Sequence, residues 1–151
     1  MRDYVKPYVD KLIHKYDETN IFKLLNTMNI GVIHRPLKDA MGMTMKSGRS
    51  RVIIVNNQVS REKQEFICAH ELGHIILHPE INMSYLKKYT LFSVDKKERQ
   101  ANFFAFEYIF GRRQYISQAE LLIDYEFEPE LLQDFLGIRL VGQSGFWNQN
   151  S

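Results

Sequence analysis

Apolar residues near the start of the chain recur every three or four positions, over residues 3–16 and again over 21–28, with polar residues between them. This spacing predicts two amphipathic helices. Asp17 and Thr19 are the candidate N-caps of the second helix, because short oxygen-bearing side chains accept hydrogen bonds from first-turn amides. The chain is therefore expected to begin with a pair of helices.

The apolar spacing changes after Gly31 from helical to roughly alternating. Runs over residues 31–37, 41–46 and 51–56 predict three short strands, the first of them ended by Pro36. Residues 47–50, Ser-Gly-Arg-Ser, predict a four-residue hairpin loop between the second and third strands. We therefore expect a small antiparallel sheet of about three strands.

Helical spacing returns after the strands. Ser60 and Pro79 enclose one apolar-rich helix, and Gly111 ends another that begins near Lys96. Between these two helices, residues 81–95 predict a loop or a weak helix. The whole pattern indicates an α+β fold with the helix after Ser60 at its centre.

The C-terminal part of the chain predicts two short helices within residues 117–137. No internal repeat, low-complexity tract or linker interrupts the sequence. We therefore expect a single domain over residues 1–151, with its core roughly within residues 20–110.

Composition and charge exclude some classes of function. The chain has 151 residues, of which 44% are hydrophobic and 25% charged, with a net charge of +2. Basic residues are concentrated over 87–113, whereas residues 120–134 carry acidic side chains and no Lys or Arg. Two solvated faces of opposite sign explain this, and steering of an acidic partner is the alternative. The acidic run argues against DNA binding by the C-terminal helices, because phosphate contacts require cations.

The single cysteine and the N-terminus bear on location. Cys68 has no cysteine to pair with, which favours a reducing compartment. The first residues carry charges throughout rather than an apolar signal segment, and no apolar run approaches the roughly 20 residues of a membrane span. We expect a cytoplasmic protein.

Residues 70–74, His-Glu-Leu-Gly-His, match the metallopeptidase pattern H-E-x-x-H. Positions four apart on a helix are separated by about 400° of rotation and about 6 Å of rise, so His70 and His74 can hold one metal ion between them. Glu71 lies about 100° around the helix, where its carboxylate can act on a water at the metal without being a ligand. The alternative is an ordinary helix with two unrelated histidines. Random placement yields the pattern with a probability of roughly 1%.

A catalytic zinc site needs a third protein ligand. A histidine in the extended H-E-x-x-H-x-x-G-x-x-H motif is excluded, because Leu77 and Glu80 occupy the last Gly and His positions. Glu98 is the best candidate, since it starts a new helix after enough chain for a loop and a return. A surface glutamate at a helix start is the alternative for Glu98, and Glu80 and Glu107 are weaker competitors. Asn102, one turn further on, could hydrogen-bond the second ring nitrogen of His70.

The two segments HELGHIILH and ERQANFFA resemble the ImmA/IrrE metallopeptidase family, whose members carry an HELGH helix and a later E-x-x-A-N-x-F-A segment. The resemblance covers roughly residues 20–110. It implies a zincin-like α+β domain with His70, His74 and Glu98 as zinc ligands and Glu71 as catalytic base. The chain departs from the family after the second motif, where many relatives have a Leu-Leu-Met-Pro-like run.

The resemblance also implies a function. Members of the family inactivate a helix-turn-helix repressor by site-specific cleavage and so derepress phage, mobile-element or stress genes. We therefore expect a zinc endopeptidase with a protein substrate, and a non-proteolytic anti-repressor that sequesters its partner is the alternative. Tyr85, Tyr89 and His34 are the candidates for stabilising the oxyanion, and the sequence does not choose among them. His78 is interpreted as structural, and Gly73 as making room either for the metal and substrate or for close packing.

Overall fold

The structure is a computed structural model that describes residues 1–87, 95–136 and 146–147. Its helices are α1 (Arg2–Tyr16), α2 (Ile21–Thr27), α3 (Arg61–Leu77), α4 (Lys96–Phe110) and α5 (Pro129–Leu136). Its strands are β1 (Ile30–Arg35), β2 (Ala40–Ser47), β3 (Ser50–Asn56), β4 (Met83–Lys87), β5 (Ile116–Ser117) and β6 (Phe146–Trp147). None of the described helices combines the length and apolar character that crossing a membrane requires.

The main sheet has four strands in the order β1-β3-β2-β4, so the predicted α+β class is confirmed. The predicted three-stranded antiparallel arrangement was wrong in two respects. First, β1 lies beside β3 and runs parallel to it, while β2 is antiparallel to both β3 and β4. Second, β4 comes from the segment predicted as a loop or weak helix. Alternation along one strand reports which face is buried but carries no information on strand direction.

Local chemistry at turns and caps also differs from the expectation. The hairpin between β2 and β3 has two loop residues rather than four, since Ser47 and Ser50 still pair. Gly48 in that turn has a φ of 61°, which glycine adopts at no steric cost. The cap of α2 is Asn20, whose side chain accepts hydrogen bonds from two first-turn amides, and not Asp17 or Thr19. In the C-terminal part, the first predicted helix is present over residues 118–124, but Glu120–Asp124 form a π-helical turn.

Helix α3 is the central element, and it packs against the sheet on one side and against α4 on the other. Ser60 caps it as predicted, accepting a hydrogen bond from the amide of Lys63. Phe66, Ile67 and Leu72 are fully buried along its length. Full burial of each such side chain contributes about 1.5–3 kcal/mol, so α3 is fixed rigidly between two layers.

Helix α4 approaches α3 closely at Gly73. A methyl group built at Gly73 would lie 3.1 Å from the Cβ of Phe104 and 3.2 Å from the Cα of Ala101. Of the two explanations for this glycine, close helix packing is therefore the one that the contacts support. This close approach also places the first turns of α4 beside His70 and His74 of α3.

Candidate metal centre

Three side chains from two helices converge at the α3–α4 contact. His70 and His74 project from successive turns of α3, and Glu98 projects from the first turn of α4. The Nε2 atom of His70 lies 3.1 Å from Oε2 of Glu98, and Nε2 of His74 lies 3.0 Å from Oε1 of the same carboxylate. The atoms through which the three residues could bind a metal all lie within 4.8 Å of one another.

Three features of this cluster fit a metal ion. Within the described residues, Nε2 of His70, Nε2 of His74 and Oε2 of Glu98 are buried and make no aligned hydrogen bond. Buried polar atoms of this kind are costly unless a partner satisfies them. Two ligand atoms on the same tetrahedral zinc ion lie about 3.3 Å apart. The separations between the histidine Nε2 atoms and the Glu98 oxygens are close to this value. Two imidazoles and one carboxylate are also a donor set that zinc accepts.

Asn102 sets the orientation of the first histidine. Its Oδ1 lies 2.7 Å from Nδ1 of His70, and both residues are buried. Because an amide oxygen only accepts, Nδ1 of His70 carries the hydrogen and donates it. In the neutral ring, Nε2 then carries no hydrogen, and its lone pair is directed at the cluster. A histidine needs such an unprotonated nitrogen to bind a metal.

The pKa shifts show what charge the cluster favours. Burial alone lowers the pKa of His70, but the carboxylates of Glu98 and Glu71 and the amide of Asn102 raise it overall. Burial alone raises the pKa of Glu98, but His70 and His74 more than offset this and hold it well below its usual range. Both shifts arise from the close contact between the imidazoles and the Glu98 carboxylate, which is therefore held in its ionised form.

Glu71 lies beside the cluster and points toward the sheet. Its side chain is fully buried, and the hydroxyl of Thr44 on β2 donates a hydrogen bond to its Oε2 across 2.6 Å. A second carboxylate oxygen, Oε1, lies near Gly42, where a methyl group would come within 3.7 Å of it. Glu71 thus follows His70 directly on α3, and its carboxylate is held by a contact with the sheet.

The competing carboxylates lie elsewhere. Glu80 has a 60% exposed side chain and pairs with Lys97 at 3.1 Å. Glu107 is buried and pairs with Arg2 of α1 at 2.8 Å. Within the described residues, His70, His74 and Glu98 form the one group suited to hold a metal ion.

Of the three candidates for stabilising the oxyanion, the structure describes the side chain of His34 alone. His34 is hydrogen-bonded at 2.9 Å to Gln64, in the first turns of α3. Gln64 precedes His70 by six residues, about 9 Å along the helix axis, so His34 lies away from the cluster. Tyr85 belongs to β4, whose backbone alone is described, and Tyr89 falls outside the described residues.

The sequence analysis named His78 only as a structural residue and did not name Gln100 or Thr44, and the structure places all three at the edge of the site. His78 places its Nδ1 3.1 Å from Nδ1 of His74, and Gln100 on α4 lies 2.8 Å from the other nitrogen of His78. A third histidine four residues after His74 is a pattern that points to such a contact. For Thr44, which reaches Glu71 from a strand 27 positions earlier, no local pattern exists.

Comparison with known proteins gives three results. Residues 25–138 match the family model described as the IrrE N-terminal-like domain, a peptidase family. An uncharacterized immunity region protein 2 of Bacillus phage phi105 is 41% identical over 104 residues, 68% of this chain. Metallopeptidase ImmA of Bacillus subtilis (strain 168) is 27% identical over 105 residues, 70% of this chain. The matched region spans 66% and 62% of the lengths of these two relatives.

Proposed function

The chain belongs to the ImmA/IrrE family of peptidases, and from this premise we propose that it is a zinc-dependent endopeptidase of the His₂Glu type. In this proposal His70, His74 and Glu98 hold the metal, and Glu71 is the catalytic base. The observation that carries the proposal is the convergence of three buried ligand atoms beside a buried carboxylate. Asn102 supports it by leaving the Nε2 lone pair of His70 free for the metal.

The chemistry assigned to each residue follows from its position. Zinc, when bound, would polarise the scissile carbonyl and lower the pKa of the attacking water. Glu71 accepts the proton of that water as it attacks, and then delivers the proton to the leaving amine. Thr44 holds the carboxylate of Glu71 in place by a hydrogen bond to its Oε2. The burial of Glu71 keeps bulk water from competing for the proton.

We further propose that the substrate is a helix-turn-helix repressor encoded beside this protein, cut at a specific site to derepress phage or mobile-element genes. Two similarities support this class of substrate. One relative is named for a phage immunity region, and the other is named a metallopeptidase. Such a repressor is a cytoplasmic protein, so the enzyme would act in the same compartment.

The proposal is tested by incubating the purified protein with the neighbouring repressor and following cleavage by mass spectrometry. Glu71→Gln removes the proton acceptor but keeps the size of the side chain, so we expect zinc binding to persist and cleavage to fall at least 1000-fold, an order of magnitude typical for an essential base. A chelator should abolish cleavage and added zinc should restore it. Full cleavage by Glu71→Gln contradicts the assigned mechanism.

A second outcome separates the two functions that the family resemblance leaves open. Intact repressor in a stable complex with the zinc-loaded wild-type protein would favour sequestration without cleavage. Failure of both cleavage and complex formation would exclude that repressor as the partner.

His34→Gln serves as the control variant in the cleavage experiment and should cleave like the wild type. His34 contacts the start of α3 and lies away from the cluster.

A further inference from the structure

We propose that Gln100 and His78 form a hydrogen-bonded chain that fixes the tautomer of His74 and directs its Nε2 lone pair at the metal. The inference rests on the proposed metal site, and it makes His78 and Gln100 positioning residues rather than ligands. It gives a role to the third histidine of the sequence H-E-L-G-H-I-I-L-H.

The argument begins at Gln100, whose Oε1 lies 2.8 Å from Nε2 of His78. An amide oxygen only accepts hydrogen bonds, so Nε2 of His78 carries a hydrogen. In a neutral imidazole the other nitrogen is then an acceptor. The Nδ1 atom of His78 therefore presents a lone pair toward α3.

The next link is the contact between the two imidazoles. Nδ1 of His78 lies 3.1 Å from Nδ1 of His74, a distance that requires one hydrogen between the two nitrogens. Since Nδ1 of His78 is the acceptor, His74 supplies the hydrogen. The Nε2 atom of His74 is then unprotonated and faces Glu98, 3.0 Å away. This is the state in which a histidine binds a metal.

The opposite proton arrangement blocks the site. If the amide nitrogen of Gln100 faced His78, each hydrogen bond along the chain would reverse and Nε2 of His74 would be protonated. His74, His78 and Gln100 are all at most 8% exposed, so little water is available to replace a lost partner. Asn102 achieves the same result for His70 in a single step. Helix α4 thus fixes both histidines of α3 through amide oxygens.

Zinc affinity tests the chain. Metal-free protein is titrated with zinc against a competing chelator for the wild type, His78→Phe and Gln100→Leu. Loss of a residue that orients a metal ligand weakens binding about 10- to 100-fold, and we expect both variants to fall in that range. Gln100→Glu keeps an oxygen acceptor at the same place, so it should bind zinc within about threefold of the wild type. His14→Phe, at an exposed histidine of α1, should leave the affinity unchanged.

A spectroscopic measurement on the wild type tests the same chain without a variant that could fail to fold. In the zinc-loaded wild type, ¹⁵N NMR of the histidine rings should find hydrogen on Nε2 of His78 and on Nδ1 of His74. Hydrogen on Nδ1 of His78, or variants that bind zinc as tightly as the wild type, would overturn the chain while leaving the metal site intact. A wild type that binds no zinc would overturn the proposed function itself.

Discussion

Thr44 of β2 donates a hydrogen bond to Glu71 of α3 across 2.6 Å, in a contact where both residues are at most 2% exposed. The contact joins the sheet to the central helix at the carboxylate proposed as catalytic base. Neighbouring strands support Thr44 on both sides, since it pairs with Ile53 of β3 and Ser84 of β4. The middle of the sheet therefore positions Glu71, whereas α4 contributes Glu98 and contacts His70 through Asn102.

The first prediction concerns this hydrogen bond. Thr44→Val keeps the shape of the side chain and removes the hydroxyl. A hydrogen bond to a charged group contributes about 1.5–3 kcal/mol, so kcat/KM for repressor cleavage should fall about 10- to 100-fold. Zinc affinity should stay within about threefold of the wild type, because the hydroxyl of Thr44 bonds Glu71, which is not one of the three proposed ligands. Steady-state kinetics and a chelator competition measure the two quantities.

Thr44→Ser is the matched control, because serine retains the hydroxyl and loses one methyl group. It should keep most of the activity. Equal losses for the serine and valine variants would show that the packing of the methyl group, and not the hydrogen bond, supports Glu71.

The second prediction concerns the close approach of α3 and α4 at Gly73. In Gly73→Ala the new methyl group meets the backbone of Ala101 at 3.2 Å, so α4 has to move. Overpacking costs about 1–3 kcal/mol, and the better helix propensity of alanine returns about 1 kcal/mol. We expect a net loss of about 1 kcal/mol in the free energy of unfolding, together with weaker zinc binding because α4 carries Glu98. Urea unfolding and zinc titration measure these changes.

Gly31→Ala provides the control for this substitution. A methyl group there would contact Val52 at an ordinary 3.6 Å, so stability should change by less than about 0.5 kcal/mol and zinc affinity should not change. A Gly73→Ala variant as stable as the wild type, with normal zinc affinity, would contradict the packing explanation for this glycine.

The third prediction concerns Lys63, a lysine that is only 2% exposed. Burial lowers its pKa from 10.5 to about 8, and the nearby carboxylates of Glu126 and Glu128 offset this only in part. Between pH 8 and 10.5 the folded protein has lost this proton while the unfolded chain still binds it. Because the unfolded state then binds more protons, the contribution of Lys63 to folding stability rises with pH across this window, by about 3 kcal/mol in total.

Comparison with Lys63→Met isolates this contribution, because tyrosines and other groups titrate equally in both proteins. The stability of the wild type relative to Lys63→Met should rise as the pH increases from 8 toward 10.5 and should be constant below pH 7. Urea unfolding of both proteins at several pH values measures the difference. A difference that does not change with pH would mean that Lys63 titrates normally in the folded state.

The sequence predicted the helical framework well, for reasons that are local. The ends of α3 follow from Ser60 and Pro79, which act within one turn of the helix. Helix α4 ends at Phe110 as predicted, but Gly111 has a right-handed conformation rather than that of a left-handed glycine cap. The spacing within H-E-x-x-H likewise determines the relation of His70 to His74, because both lie on one helix. Glu98 and Asn102 required a family resemblance or a spacing argument in addition, since they belong to a different helix. That one domain spans residues 1–151 stays a prediction.

What the sequence did not predict depends on contacts between distant segments. The parallel pairing of β1 with β3 is decided by tertiary packing, and nothing in the alternation of either strand specifies it. Thr44 contacts Glu71 only because the sheet packs against α3, so nothing in the sequence around Thr44 distinguishes it from other strand residues. The direction of hydrogen bonding from Gln100 through His78 depends on α4 lying against α3. Local patterns therefore determined the elements, and packing determined which side chains surround the site.

The last prediction links metal binding to folding. A ligand that binds only the folded protein adds about 4 kcal/mol of stability at a free concentration 1000 times its Kd. Zinc should therefore raise the free energy of unfolding of the wild type by about this amount, and a chelator should reverse it. Glu98→Gln removes the negative charge of the third ligand, so at the same zinc concentration we expect less than about 1 kcal/mol of stabilisation. Glu80→Gln makes the same change at a 60% exposed carboxylate outside the cluster and should respond to zinc like the wild type. If Glu98→Gln gained as much stability from zinc as Glu80→Gln, Glu98 would not be a ligand.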